Sequence, residues 1–116
     1  MNASERDQEL LSYIAESIGL IERYSRDGRA AFLREQMVQD AVLRRLETLA
    51  EATNRLSPEL KQRHNTISWR DIYGFRNVIA HGYLLVNLDL VWQTIEVNLP
   101  SLKTVVAEEL RQLGSD

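Results

Sequence analysis

Hydrophobic side chains along the chain recur at intervals of three and four residues, which is the spacing of amphipathic helices, and no convincing pair of strands is present. The first such series consists of Leu10, Ile14, Ile18 and Ile21. These positions share one stripe of a helix. The pattern predicts a first helix over residues 4–24, with Ser4 as its N-cap, followed by a turn at Asp27 and Gly28.

A second series lies within residues 29–56, where apolar positions repeat at the same spacing at Val38, Val42, Leu46 and Leu49. No strong helix breaker interrupts this segment. The pattern therefore predicts one long helix, bent near Glu35.

A short third helix is indicated by Ser57 and Pro58, because serine caps free backbone amides and proline suits the first helical position. This helix should end near His64 and Asn65. We expect His64 to be exposed rather than catalytic.

Ser68 and Asp71 resemble a capping box that starts a fourth helix, and Gly82 is its expected end. Asn87 can cap a final helix. Pro100 should kink or divide that helix, because proline lacks the amide hydrogen and crowds the preceding turn. Together the elements predict an all-α fold, an antiparallel helical bundle of about four to five helices.

Length and composition fit one helical domain over residues 1–116, with 44% hydrophobic residues for a single core. The chain contains no cysteine, which suits a reducing cytoplasm, and its polar N-terminus lacks the apolar core of a secretion signal. No apolar run approaches the roughly 18–20 residues that span a bilayer. We therefore expect a cytoplasmic protein that does not bind membranes.

The net charge of −3 argues against a protein that coats nucleic acid through overall positive charge. Any contact with RNA must therefore be local. Arginines do cluster along the sequence, at Arg23, Arg26, Arg29, Arg34, Arg44 and Arg45. They fit solvated helix faces paired with nearby acidic residues, and some could instead line an RNA channel.

Arg76 and His81, near the expected end of the fourth helix, combine groups suited to phosphodiester chemistry. A guanidinium holds a phosphate through a planar fork of donors, and an imidazole exchanges a proton near neutral pH. Five residues of helix give about 7.5 Å of rise and about 140° of rotation, so the two positions do not share a face. The length of the arginine and relaxation at Gly82 reduce that separation, and a twofold axis would gather two such pairs around one cleft. The pattern indicates metal-free phosphodiester cleavage by a homodimer.

The same segment resembles the HepT-like branch of the HEPN superfamily. The family pattern is an arginine, a polar residue, three further positions, a histidine, one more residue and a tyrosine, met here by Arg76, Asn77, His81 and Tyr83. The flanking residues 69–75 and 88–92 are similar as well.

This resemblance implies metal-independent cleavage of RNA. His81 would act as general base at the ribose 2′-hydroxyl or as general acid at the leaving oxygen, and Arg76 would stabilise charge on the phosphate. Asn77 would orient the histidine or bind the ribose. The resemblance also implies a partner, an MNT-type nucleotidyltransferase antitoxin that can transfer AMP to Tyr83.

Each of these side chains also has a purely structural interpretation. His81 can stabilise a helix C-terminus through the helix dipole, and Arg76 can pair with Asp71 or Asp89. Tyr83 can cover the core with its ring. Three other aromatic residues are assigned to packing rather than to base stacking, namely Trp69, Phe75 and Trp92.

Metal and cofactor sites lack their usual ligand sets in this sequence. Two histidines and no cysteine cannot form the common structural zinc sites, and no glycine-rich phosphate loop is present. We therefore expect no metal and no cofactor. The alternative to a ribonuclease toxin is a non-catalytic dimeric helical module that binds a nucleotidyltransferase or RNA without cleaving it.

Overall fold

A computed structural model describes residues 2–81 and 86–114, with backbone alone at Val78, Ala80 and His81. Throughout these residues the secondary structure is helical and contains no strand. A π-helical turn, Thr94–Asn98, joins the last two helices into one rod. The α-helices are α1 Ala3–Tyr24, α2 Arg29–Arg34, α3 Gln36–Asn54, α4 Pro58–Arg63, α5 Trp69–His81, α6 Leu88–Gln93 and α7 Leu99–Leu113. The predicted all-α fold is confirmed.

Two polar contacts show how the long helices run past each other. Asp7, near the start of α1, accepts hydrogen bonds from the backbone N–H and the hydroxyl of Ser57, just beyond the end of α3, at 2.9 and 2.6 Å. Lys103, near the start of α7, bonds Glu22 near the end of α1. Helix α1 is therefore antiparallel to both α3 and α7, and α3 packs on α1 and α5. The long helices α1, α3, α5 and the α6–α7 rod form the bundle, to which α2 and α4 add short turns.

The apolar stripes found in the sequence form the core of the bundle. From α1 and α3 the fully buried side chains include Leu11, Ile14, Ile18, Ile21, Val42 and Leu49. Leu10 lies at the edge of this core, because Leu11 occupies the inner position of that turn. Trp92 is buried, and its ring lies 5.5 Å from that of Phe32. The assignment of Trp92 to packing is thereby confirmed.

The predicted first helix agrees with α1 to within one residue, but its predicted N-cap is wrong. Asn2, not Ser4, is the N-cap, because its side-chain oxygen accepts the backbone N–H of Glu5 at 2.8 Å. This satisfies one of the amides that a helix start leaves free. The turn at Asp27 and Gly28 is confirmed, and Gly28 adopts the left-handed φ of 91°.

The single long helix predicted over residues 29–56 is in fact two helices. Glu35 has an extended backbone (φ −101°, ψ 107°), so the expected bend is a break. Helix α2 ends there without a glycine or a proline. The side-chain amide of Gln39 donates to the carbonyls of Phe32 and Leu33 at 2.9 and 3.1 Å. It thereby satisfies two of the carbonyls that the end of α2 exposes.

Three predicted helix signals agree with the structure. Ser57 caps α4, with Pro58 in its first turn, and the side chain of Asn87 caps α6. Pro100 stands at the start of α7 and follows the π turn, in which Leu99 N–H bonds the carbonyl of Thr94, five residues back. The sequence predicted that Pro100 kinks or divides the helix. In the structure, a π-helical turn just before Pro100 separates α6 from α7. Gly82, the expected end of the fourth helix, lies outside the described residues.

None of the helices formed by residues 2–81 and 86–114 is long and apolar enough to cross a membrane.

Candidate active site

Helix α5 carries the candidate catalytic residues, and its first residue is anchored to α4. The indole N–H of Trp69 donates to the carbonyls of Lys61 and His64 at 3.2 and 3.1 Å. Further along, Ile79 is buried in the core and Phe75 is half-buried against it. These contacts fix the rotation of the helix, and therefore the direction in which each later position faces.

Arg76 is held by an acidic residue that the sequence spacing did not suggest. Its Nε lies 3.0 Å from Oε2 of Glu51 on α3. The expected partners were Asp71 and Asp89, but Asp89 pairs with Arg29 instead. One third of the arginine side chain is exposed, so the pair does not remove it from solvent.

Asn77 and His81 occupy positions one helical turn apart on α5. Asn77 is exposed, and His81 is the last residue of the helix. Residues four apart are neighbours on a helix surface, so these two positions share a face. Arg76 is rotated from the His81 position by about 140°. The imidazole of His81 and the whole of Tyr83 lie outside the described residues.

An apolar cavity of about 240 Å³ opens on the other flank of α5, between α3 and the π turn. Phe75 and Asp71 line it. These positions are rotated by about 100° and 140° from Arg76 around the axis of α5. The cavity therefore belongs to the edge of the core and not to the motif.

Glu109 is a buried charged residue that the sequence pattern did not single out. Its Oε1 accepts from Nε and Nη2 of Arg63 at 3.0 and 2.8 Å, and it lies 3.0 Å from Nε2 of His64. The His64 side chain is only 16% exposed, so the expectation that it is exposed is wrong. Burial next to a carboxylate explains the difference, because a buried carboxylate requires charged or hydrogen-bonding partners.

The sequence does contain a signal for this cluster. Glu109 falls three and four residues after Val106 and Val105, on the apolar stripe of α7. A carboxylate at such a position predicts a buried ion pair with a neighbouring helix. The cluster ties α4 to α7 and lies apart from Arg76.

A family comparison covers most of the bundle. A model of the family described as "Ribonuclease HepT-like" matches residues 14–109. The chain belongs to the HepT-like ribonuclease family. The match runs from within α1 to within α7. It therefore includes Arg76, Asn77, His81 and Tyr83 of this HepT-like chain.

Individual relatives agree with the family assignment. A probable ribonuclease HepT of Thermococcus cleftensis is 36% identical over 104 residues, which are 89% of this chain and 93% of that protein. A candidate RNase of Caldanaerobacter subterraneus subsp. tengcongensis is 32% identical over 93 residues, covering 80% and 83% of the two chains.

A protein of Methanocaldococcus jannaschii is named both a gamma-glutamylcyclotransferase and a candidate RNase, and it is 34% identical over 107 residues. The match includes 91% of this HepT-like chain but only 48% of the longer protein. No solved structure matches the chain.

Proposed function

We propose that this chain is the toxin of a HepT/MNT-type toxin–antitoxin system, an endoribonuclease that cleaves RNA without a metal ion. Its site would consist of Arg76, Asn77 and His81 from both protomers of a homodimer. The observation that carries the proposal is the family match over residues 14–109, which contains the complete motif. The placement of Arg76 supports it, since Glu51 contacts its Nε and one third of its side chain remains exposed.

The proposed reaction begins with attack of a ribose 2′-oxygen on the adjacent phosphorus. The bond from phosphorus to the 5′-oxygen breaks, leaving a 2′,3′-cyclic phosphate and a 5′-hydroxyl. His81 takes the proton from the 2′-hydroxyl or gives a proton to the leaving 5′-oxygen, contributing about 10²–10⁴-fold in rate. Arg76 stabilises the negative charge that grows on the non-bridging oxygens. Asn77, which shares a face with the His81 position, orients the imidazole or binds the ribose.

Dimerisation would complete this site. The 140° of helix between the Arg76 and His81 positions makes a pair from one chain a poor clamp on a single phosphate. A twofold axis beside the end of α5 places one protomer's arginine near the other protomer's histidine, and twofold dimers are the commonest symmetric assemblies.

The proposed partner is an MNT-type nucleotidyltransferase that silences the toxin. The phenolic oxygen of Tyr83 would attack the α-phosphorus of ATP, pyrophosphate would leave, and AMP would remain on the tyrosine. The new phosphodiester adds bulk and negative charge two residues from His81. Like-charge repulsion then opposes entry of an RNA phosphate.

Cleavage of single-stranded RNA in EDTA tests the function. We expect the wild-type protein to cut RNA, and His81→Ala and Arg76→Ala each to lower the rate by at least about 100-fold. Thermal unfolding should change little for Arg76→Ala, because its ion pair is partly exposed and contributes little to stability.

Arg34→Ala is the control, since this exposed arginine is the last residue of α2 and precedes the start of α3, whereas Glu51 lies near the end of α3. Equal cutting of RNA that carries 2′-O-methyl groups would contradict the mechanism, as would loss of cutting in EDTA. Binding of RNA by the wild-type protein without any cleavage would favour the non-catalytic module.

A further inference from the structure

A groove of about 310 Å³ lies between the end of α3, the last turn of α4 and the start of α5. Its six lining residues contain two cations and two aromatic rings and no carboxylate: Thr53, Asn54, Lys61, Trp69, Arg70 and Tyr73. In a protein of net charge −3, such a local excess of positive charge is the feature that RNA contact requires.

The polar groups of this groove leave positive charge available. Arg70 is exposed and forms no ion pair with any residue that the structure describes. Lys61 donates to the carbonyl of Asn54 at 3.1 Å, at the C-terminus of α3, so its charge meets only a partial negative charge there. The groove therefore carries two cations without a carboxylate to neutralise them.

The aromatic rings of Trp69 and Tyr73 are partly exposed in the groove. Trp69 has its indole N–H satisfied by two backbone carbonyls, which fixes the ring in the wall of the groove. Tyr73 is half-buried, one helical turn after Arg70. Cations alternating with aromatic rings are the pattern of sites that track single-stranded nucleic acid, where bases stack and phosphates pair.

The groove lies one helical turn from the Arg76–Glu51 pair. Tyr73 on α5 is followed three residues later by Arg76, and Asn54 on α3 is preceded by Glu51, three residues earlier. The next turn of both helices is thus the Arg76–Glu51 pair. Arg70 lies about 9 Å before Arg76 along the axis of α5.

We propose that this groove is an extended subsite for single-stranded RNA, in which Lys61 and Arg70 each bind one backbone phosphate beyond the scissile one and Tyr73 stacks on a base. The inference rests on the proposed function, since it assigns a path to the RNA that Arg76 and His81 would cut. It adds affinity without requiring a basic protein, because each phosphate bound releases counterions locally.

Binding of a fluorescent, fully 2′-O-methylated RNA of twelve nucleotides, followed by anisotropy at several salt concentrations, tests the subsite. Lys61→Gln and Arg70→Gln should each weaken binding about two- to five-fold, the range for an exposed ionic contact. Each should also lower the slope of log K against log salt by about 0.7, the loss of one phosphate contact on a single strand. Arg34→Gln should change neither quantity.

Single methylphosphonates, which are neutral, locate the contact. One such substitution should weaken binding to the wild-type protein and have no further effect on Arg70→Gln. Tyr73→Ala should weaken binding and Tyr73→Phe should not, because the phenyl ring retains the stacking surface.

Unchanged affinity and salt slope in both Lys61→Gln and Arg70→Gln would overturn the subsite while RNA cleavage by the wild-type protein left the proposed function standing. A wild-type protein that neither bound nor cut RNA would overturn both.

Discussion

At the scale of single residues, the ion pair between Arg76 and Glu51 determines what the guanidinium can still do. Side chains that are 33% and 45% exposed form a weak pair in energetic terms, within about 1 kcal/mol. The effect is therefore geometric. The pair restricts a long side chain, which would lower the entropic cost of positioning its guanidinium against a phosphate.

Tyr83 gives the residue-scale prediction, because AMP transfer would depend on one oxygen atom. Incubated with the MNT-type nucleotidyltransferase, ATP and magnesium, the wild-type chain should gain the mass of one AMP and lose its cutting of RNA. Tyr83→Phe keeps the ring and removes the acceptor, so it should stay unmodified in intact-mass spectra and remain active in the presence of the partner.

Tyr73→Phe is the matched control, since it makes the same change ten residues earlier on the same segment. It should be modified as the wild-type chain is. Full modification of Tyr83→Phe would show that another residue accepts the nucleotide.

Sequence spacing predicted part of this site and could not have predicted the rest. The arginine, asparagine, histidine and tyrosine form a contiguous motif, which a pattern search finds. Glu51 lies on a different helix, far from Arg76 in sequence, and the pattern of α3 alone does not indicate which acidic residue faces α5. Local spacing therefore offered Asp71 and Asp89, and long-range packing selected Glu51.

At the scale of helices, the Glu109 cluster connects α4 to α7. Glu109→Ala should destabilise the fold by about 1–3 kcal/mol, because it removes the shared acceptor of Arg63 and His64. The cost stays below that of a fully buried pair, since the Arg63 side chain is 54% exposed. Urea unfolding measures this change.

Glu96→Ala, which removes an exposed carboxylate from the same helical rod, should leave stability within about 0.5 kcal/mol of wild type. Equal midpoints for the two variants would mean that the cluster contributes nothing to the fold.

Helix positions were more predictable than helix boundaries. Ser57 with the following Pro58 marked the start of α4 correctly, and Asn87 marked the start of α6, because those signals act locally. The break at Glu35 carries no such signal. It depends on the side chain of Gln39 reaching back to the end of α2, which becomes visible only in three dimensions.

For the whole molecule, the proposed homodimer leads to a prediction about mixtures of inactive variants. If each site combines Arg76 of one protomer with His81 of the other, a mixed dimer of Arg76→Ala and His81→Ala retains one intact pair. Denatured together and refolded at equal amounts, the two variants should recover up to about a quarter of wild-type cleavage, since half of the dimers are mixed and half of their sites are intact.

Light scattering on the wild-type chain supplies the companion measurement and should give twice the mass of 13.4 kDa. A monomer at micromolar concentration, or a refolded mixture as inactive as its components, would mean that each chain carries its own complete site.

The π turn before Pro100 bears on the history of the sequence. A π turn holds one residue more than an α turn, so Thr94–Asn98 is where a helix absorbs an insertion without rotating the residues after it. Loss of one residue there would restore plain α geometry and keep the buried face of α7 in register. It would also set Pro100 inside a regular helix, at a cost of about 3 kcal/mol. Relatives without a proline at this place should therefore be one residue shorter between α6 and α7, and the gap should coincide with the missing proline.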